Sequence, residues 1–117
     1  MSYGEPPYDI HLEARKTGDD ILASVTGGTR PHIGAVALAE PAGAPHPVTG
    51  KASEESIISV IAAEGHKDAV LAEMFAKALC EKYGVNVCVS AGVHVDGANQ
   101  DEIALMLVNA ESLLKSW

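Results

Sequence analysis

Three histidines sit in short polar or glycine-rich strings, and each follows or opens an apolar run. His32 lies in Thr26-Gly27-Gly28-Thr29-Arg30-Pro31-His32-Ile33-Gly34, His66 in Gly65-His66-Lys67-Asp68, and His94 in Ala91-Gly92-Val93-His94-Val95. An imidazole both ligates metals and exchanges protons near neutral pH. Three on one sheet edge could hold a divalent metal with an open position. They could instead surround an anionic or aromatic ligand as donors. One histidine at a strand end is more often an ordinary hydrogen-bonded residue, so convergence of the three decides between these readings. Lys67 is an independent clue. A cation in the first turn of a helix opposes the helix dipole by ~0.3–1 kcal/mol, and an anion bound there reverses the sign. Asp68 offers a plainer account, as a cap that offsets the charge. Arg30 adds a second cation, and the set suits a phosphate-sized anion. Thr-Gly-Gly-Thr alone is a weak phosphate signal. There is no recognisable nucleophile–base pair, Walker loop or dinucleotide fingerprint. His11 lies on a wet strand face and His46 in a proline-rich loop, and neither carries an expectation.

The elements that must position these residues follow from periodicity. Tyr8, Ile10, Leu12 and Ala14 alternate with Asp9, His11, Glu13 and Arg15, the pattern of a half-buried strand. After a turn at Gly18, a second strand runs Ile21–Thr26 and ends at Gly27-Gly28. A third runs Ile33–Glu40, close enough to the second for a hairpin. Residues 41–53 carry Pro41, Pro45 and Pro47 and read as an irregular loop. A fourth strand, Ser56–Ala63, precedes a helix from about Lys67 to Tyr83. Its stripe is Val70, Leu71, Met74, Phe75, Ala78 and Leu79, and Gly84 is placed to end it. The fifth strand, Val85–Val95, puts Val85, Val87, Val89, Ala91, Val93 and Val95 on one face. Asn86, Cys88, Ser90, Gly92 and His94 share the other. That small, polar face either leaves space above the sheet or packs closely on a helix or a second copy, with equal weight. The last helix starts at the capping signal Asn99-Gln100-Asp101-Glu102. Its stripe is Ile103, Met106, Leu107, Ala110, Leu113, Leu114 and Trp117.

The order β-β-β-β-α-β-α predicts an α+β fold in one domain over residues 1–117. It is a two-layer sandwich with a single, mostly antiparallel five-stranded sheet and two helices. Suppose the second and third strands form a hairpin and the fourth lies antiparallel to the third. The helix crossover then makes the fifth strand parallel to the fourth. On that topology the Gly27-Gly28 loop, His32, the helix start at His66, and His94 share one edge. The net charge of −8 opposes nucleic-acid backbones and anionic membranes as partners. No apolar run reaches the ~18 residues of a membrane span and no signal peptide opens the chain, so a cytoplasmic address is expected. Cys80 and Cys88 read as buried thiols rather than a bridge or metal ligands.

The three histidine strings, in kind and in order, resemble a family of small accessory proteins of gallate decarboxylase. The resemblance covers about Ile21 to Val95. That family is described as a chaperone for prenylated flavin mononucleotide, the cofactor of UbiD-type decarboxylases. Its fold resembles the small proteasome-assembly chaperones, which tend to dimerise. The resemblance implies a non-enzymatic protein that binds, protects and delivers prenylated FMN (or FMN). It would act between a flavin prenyltransferase and a UbiD-type decarboxylase, as a homodimer or higher homo-oligomer. The cofactor-binding set on this reading is Thr26, Gly27, Gly28, Thr29, Arg30, His32, His66, Lys67, Ser90, Gly92 and His94. Arg30, Lys67 and the Gly27-Gly28 amides would take the phosphate. Cys88, Ser90, Gly92 and His94 would line the ring. Stacking partners are few, namely Phe75, Trp117 and three tyrosines, which suits a carrier that must release its ligand. The proline-rich loop departs from the family pattern. Two rivals stand beside this reading. One is a small metal-dependent enzyme using His32, His66 and His94 on zinc, manganese or iron, and the other is an assembly chaperone that binds only protein.

Overall fold

The structure is a computed structural model describing residues 1–43, 47–49, 55–63 and 66–117, with all side chains among them except those of Glu55 and His66. Chain order is β1 (Ser2–Tyr3), β2 (Ile10–Thr17), β3 (Asp20–Gly28), β4 (Ala35–Ala42), β5 (Glu55–Ala62), α1 (His66–Tyr83), β6 (Val87–His94) and α2 (Gln100–Ser116). The described residues form a six-stranded sheet ordered β1-β2-β3-β6-β4-β5. Every neighbouring pair is antiparallel except β3 and β6. The expected α+β class and mostly antiparallel sheet are found, with one strand more than expected. The extra strand, β1, pairs Ser2 with His11 and Tyr3 with Ile10, and two residues are too few to show a period.

The expected hairpin between the second and third strands does not form. β6 is inserted between them, parallel to β3 (Gly28 against His94) and antiparallel to β4 (Ala35 against Ala91). Residues 29–34 therefore bridge two strand spacings, roughly 9.6 Å, within easy reach of six residues. β6 takes this central place because it is the most apolar strand on the core side. Val87, Val89, Ala91 and Val93 are all buried there, and neighbours on both sides satisfy its backbone. The predicted convergence survives the insertion. β3, β5 and β6 run one way and β4 the other, so the end of β3, the start of β4, the start of α1 and the end of β6 share one edge.

Both helices cover the same face of the sheet. α1 lies across β4, β5 and β6, and α2 beside β1 and β2. The buried stripe of α1 is rotated from the expected one. Ala72, Ala76 and Cys80 join Leu71, Phe75 and Leu79 in the core, while Val70 is exposed. β4 presents Ala35, Ala37 and Ala39, and this small-residue strand admits the small-residue side of the helix. Gly84 ends α1 with φ +66°, its N–H donating to Cys80 O at 2.8 Å. α2 starts with the expected capping box. Glu102 N–H donates to Asn99 Oδ1 at 2.8 Å, and Asn99 N–H to Glu102 Oε1 at 3.2 Å. The Tyr8 hydroxyl donates to Glu102 Oε2, and Asn109 Nδ2 donates to Tyr8 O at 2.9 Å. These bonds tie the N-terminal segment to α2.

Neither helix covers the opposite face. Leu22, Leu38, Ile57 and Ile61 are 37%, 42%, 61% and 77% exposed there. Cys88 is half-exposed on this face, so the expectation of two buried thiols holds only for Cys80, and both cysteines are free. Pro41, expected in a loop, lies in β4 opposite Ser56, beyond the end of the β6 pairing where no further ladder N–H is required. His46 lies outside the described residues.

Two outcomes follow for stability. Asn99→Ala removes the side-chain half of the capping box and is expected to lower unfolding free energy by about 1 kcal/mol, measured by urea denaturation. The Glu102 carboxyl is held below its ordinary 4.5, first by the Tyr8 hydroxyl and then by the Asn99 amide. A carboxyl lowered on folding contributes stability above its unfolded pKa and loses it as pH falls through the folded value. The stability gap between wild type and Tyr8→Phe is therefore expected to be widest near neutral pH and to close in acid, which denaturation across a pH series checks.

Candidate functional site

The site begins with an amide that outlasts its strand partner. β4 pairs with β6 only as far as Ala35 and Ala91, with Gly34 N–H donating to Ala91 O at 2.8 Å. The next amide on that side of β6 belongs to Val93. It donates to Asp68 Oδ1 at 3.0 Å, so a side chain on α1 takes the place of the departed strand. Asp68 is only 4% exposed and lies in the first turn of α1, where a carboxylate suits the helix dipole. Its other oxygen, Oδ2, meets His32 Nε2 at 3.1 Å, while His32 Nδ1 faces Arg30 O at 3.1 Å. Both ring nitrogens thus face acceptors. An imidazolium satisfies both with N–H groups, and a neutral ring satisfies one. Asp68 had the look of a helix cap in the sequence, but it caps a strand and holds a histidine.

Glycines let these parts meet. A Cβ on Gly92 would lie 1.6 Å from His32 O, and one on Gly34 would lie 2.0 Å from Asp68 Oδ2. The 29–34 segment therefore rests directly on β6, over the outer face of the sheet. His94 O accepts from Thr29 N–H at 2.9 Å, Arg30 N–H at 3.2 Å and Thr29 Oγ1 at 3.4 Å. Gly27 and Gly28 lie in β3, registered against Ile10, Val93 and His94. The glycine string is thus a close-packing device. The amides of Thr29 and Arg30 are committed to the protein's own backbone, and any phosphate contact falls to side chains.

The His32 and His94 rings meet edge to face, with centroids 6.2 Å apart. His94 Nε2 lies 2.7 Å from Asp96 Oδ1, and Arg30 Nη2 lies 4.0 Å from the same oxygen. Asp96 and Arg30 are solvated. Asp96 escaped the sequence reading, although its place two residues beyond a strand-ending histidine was the available signal. His66 starts α1 at the same edge, with its side chain outside the described residues, and Lys67 follows half-buried. Among the described residues no group of three or more His, Cys, Asp or Glu is arranged to hold a metal ion.

Thr26, Ser90 and Gly92 lie on the outer face beside this edge. Neither helix packs on that face, and the 29–34 segment covers it at Gly92. A hollow of about 400 Å3 is lined by Glu13, Arg15, Leu22, Ser24 and Ser90, together with Ala14 and Ala23. A second, of about 290 Å3, reaches Leu22, Leu38, Asn86 and Cys88. Such volumes fall at the lower end of small-molecule sites, roughly 300–1,000 Å3. The arrangement offers a flat polar floor next to an edge carrying two histidines, two cations and two carboxylates.

The chain is similar to known proteins in sequence and in fold. The family described as prenylated flavin chaperone LpdD-like domain matches residues 4–117. Protein LpdD of Lactiplantibacillus plantarum is 31% identical over 114 residues, covering 94% of this chain and 77% of LpdD. A crystal structure of a chaperone complex for yeast 20S proteasome assembly superposes with a TM-score of 0.64 at 11% identity, covering 99% of this chain and 87% of that one. At that identity the likeness concerns the fold alone.

The geometry makes the edge sensitive to single atoms. Asp68→Ala leaves a buried amide without an acceptor and is expected to cost about 2–3 kcal/mol. Hydrogen exchange at Val93 should rise by more than the global loss of stability. Gly92→Ala drives a methyl into His32 O and is expected to shift the His32 and His94 ring resonances while leaving the circular dichroism of the sheet unchanged.

Proposed function

This chain belongs to the LpdD-like prenylated flavin chaperone family, and from that premise we propose that it binds, shields and hands on prenylated flavin mononucleotide without catalysing a reaction. It takes the cofactor from a flavin prenyltransferase and delivers it to a UbiD-type decarboxylase in the cytoplasm, acting as a homodimer or higher homo-oligomer. No helix among the described residues is long and apolar enough to cross a membrane.

The observation that carries this reading is the meeting of the histidine edge with an open polar floor. Flavin mononucleotide pairs a planar ring with a phosphate, and the chain offers a matching pair of surfaces. Thr26 and Ser90 give the ring a floor with little side-chain bulk, while Gly92 lies beneath the 29–34 segment. Arg30, Lys67, His32 and His94 are the donors for the phosphate. Asp96 already engages His94 and Arg30, so a phosphate must displace it. Asp96 is solvated and its displacement buries no charge, but the competition weakens the bound state. Weak, reversible binding is what a carrier requires. The bound cofactor supplies a reduced ring that reacts with oxygen, and the chain's own part is to orient it and limit its exposure.

Anaerobic native mass spectrometry with reduced prenylated flavin mononucleotide, and with plain flavin mononucleotide, tests the proposal. A mass shift with the prenylated form is expected, with affinity falling about tenfold in His94→Ala or Lys67→Ala, the loss of one charge-assisted hydrogen bond. Asp96→Asn is expected to bind more tightly. Absence of a shift with either flavin would overturn the reading. A retained metal ion, lost in His32→Ala, would instead favour the metal-dependent enzyme.

A further inference from the structure

A separate hollow lies between the N-terminal segment and α2. It is lined by Tyr3, Gly4, Glu5, Tyr8, Leu105 and Asn109, with a volume of about 490 Å3. None of these residues belongs to the histidine edge or to the proposed cofactor set. We propose that this hollow receives the guanidinium of an arginine presented by a partner polypeptide.

The chain builds the hollow at several fixed points. Gly4 has φ +102°, and a Cβ there would lie 2.5 Å from Asn109 Nδ2, so only glycine lets the segment descend onto α2. Tyr8 N–H donates to Glu5 O at 2.9 Å and closes a turn. The Tyr8 hydroxyl donates to Glu102 on α2. These contacts hold one wall against the helix.

Asn109 supplies an acceptor that the protein itself does not use. It is only 7% exposed. Its Nδ2 donates to Tyr8 O at 2.9 Å, while its Oδ1 has no hydrogen-bond partner among the described residues. That oxygen is not sealed from solvent, and Asn109 lines the hollow, so the carbonyl opens into it. A nearly buried acceptor without a donor calls for one from a ligand.

The surroundings select a cation. Glu5 brings a carboxylate, and no lysine or arginine lines the hollow. The first turn of α2 carries Asp101 and Glu102, which offset the positive end of the helix dipole there. Tyr3 and Tyr8 bring two rings, and a ring face attracts a cation. Guanidinium fits this set better than ammonium, because its planar fork can reach a carboxylate and a carbonyl together and its face stacks on tyrosine. A hollow of this size falls within the roughly 300–1,000 Å3 of small-molecule sites, room for a whole side chain rather than a bare ion.

The rim favours an arginine set in a polypeptide. Leu105, Tyr3 and Val108 are 43%, 45% and 55% exposed, with Val108 one turn beyond Leu105 on α2. Single exposed apolar residues are ordinary. Beside a charged hollow they offer contact to the residues that flank the arginine, and arginine is a common anchor of protein interfaces.

Nuclear magnetic resonance titration of the flavin-free chain with a blocked Leu-Arg-Leu tripeptide tests this, read at the Asn109 side-chain amide. The comparison probes are blocked arginine alone, the tripeptide with lysine, and the tripeptide with citrulline, which keeps the shape without the charge. A saturable shift with the arginine tripeptide is expected, weaker with the other two cationic probes and absent with citrulline. Glu5→Gln, at an exposed position, should lower affinity about tenfold through loss of a charge-assisted bond. Leu105→Lys, which sets a cation at the mouth, should abolish binding. Glu73→Gln, exposed on α1, removes the same charge elsewhere and should leave affinity unchanged. Circular dichroism should be alike in all three variants. No shift at Asn109, or an equal response to citrulline, would overturn the proposal. Equal losses in Glu5→Gln and Glu73→Gln would do so too, reducing binding to general attraction by an acidic chain. Lysine binding as tightly as arginine would overturn the guanidinium assignment, and blocked arginine binding as tightly as the tripeptide would overturn the polypeptide source. No flavin enters these measurements, so their failure is distinct from failure of flavin binding.

Discussion

A strand that outlasts its neighbour leaves an amide with nothing to bond, and at Val93 the acceptor comes from Asp68. A buried N–H without an acceptor costs about 1–3 kcal/mol, so this position is under strong constraint. The same carboxylate fixes His32, and through it the 29–34 segment that crosses the end of β6. One side chain therefore joins the start of α1, the end of β6 and the crossing loop. Remove it and the three would share an edge but not a geometry.

The glycines belong to the same constraint. Gly92 and Gly34 lie where a Cβ would strike His32 O and the Asp68 carboxylate. Their role is to let the loop descend onto β6 and the carboxylate reach the loop. A phosphate cradle would need amides aimed into open space, whereas the Thr29 and Arg30 amides point at His94 O. The ligand-facing chemistry thus rests on side chains at the rim, where cations and carboxylates already offset one another.

The two faces of the sheet divide the labour. The helix side is sealed by alanines on β4 against alanines, leucines and Phe75 on α1. The outer side keeps small and polar residues at its centre and apolar ones around them.

Local pattern determined much of this protein. The alternation at Ile10–Glu13 and along β6, the capping box at Asn99 and the stop at Gly84 are short-range effects that the structure carries, whereas Ala14, expected on the buried face, is exposed. The three histidine strings fall on one edge because strand direction alternates predictably through short turns and a helical crossover. Strand order was decided only by tertiary structure. Insertion of β6 between β3 and β4 depends on which strand best tolerates neighbours on both sides, a competition among distant segments that no local window contains. The stripe of α1 rotated for a similar reason, since the alanines of β4 chose the small side of the helix. Asp68 is the sharpest case. Its sequence position says helix cap, and only the early end of the β4–β6 pairing, a long-range event, turns it into the acceptor that holds the site together.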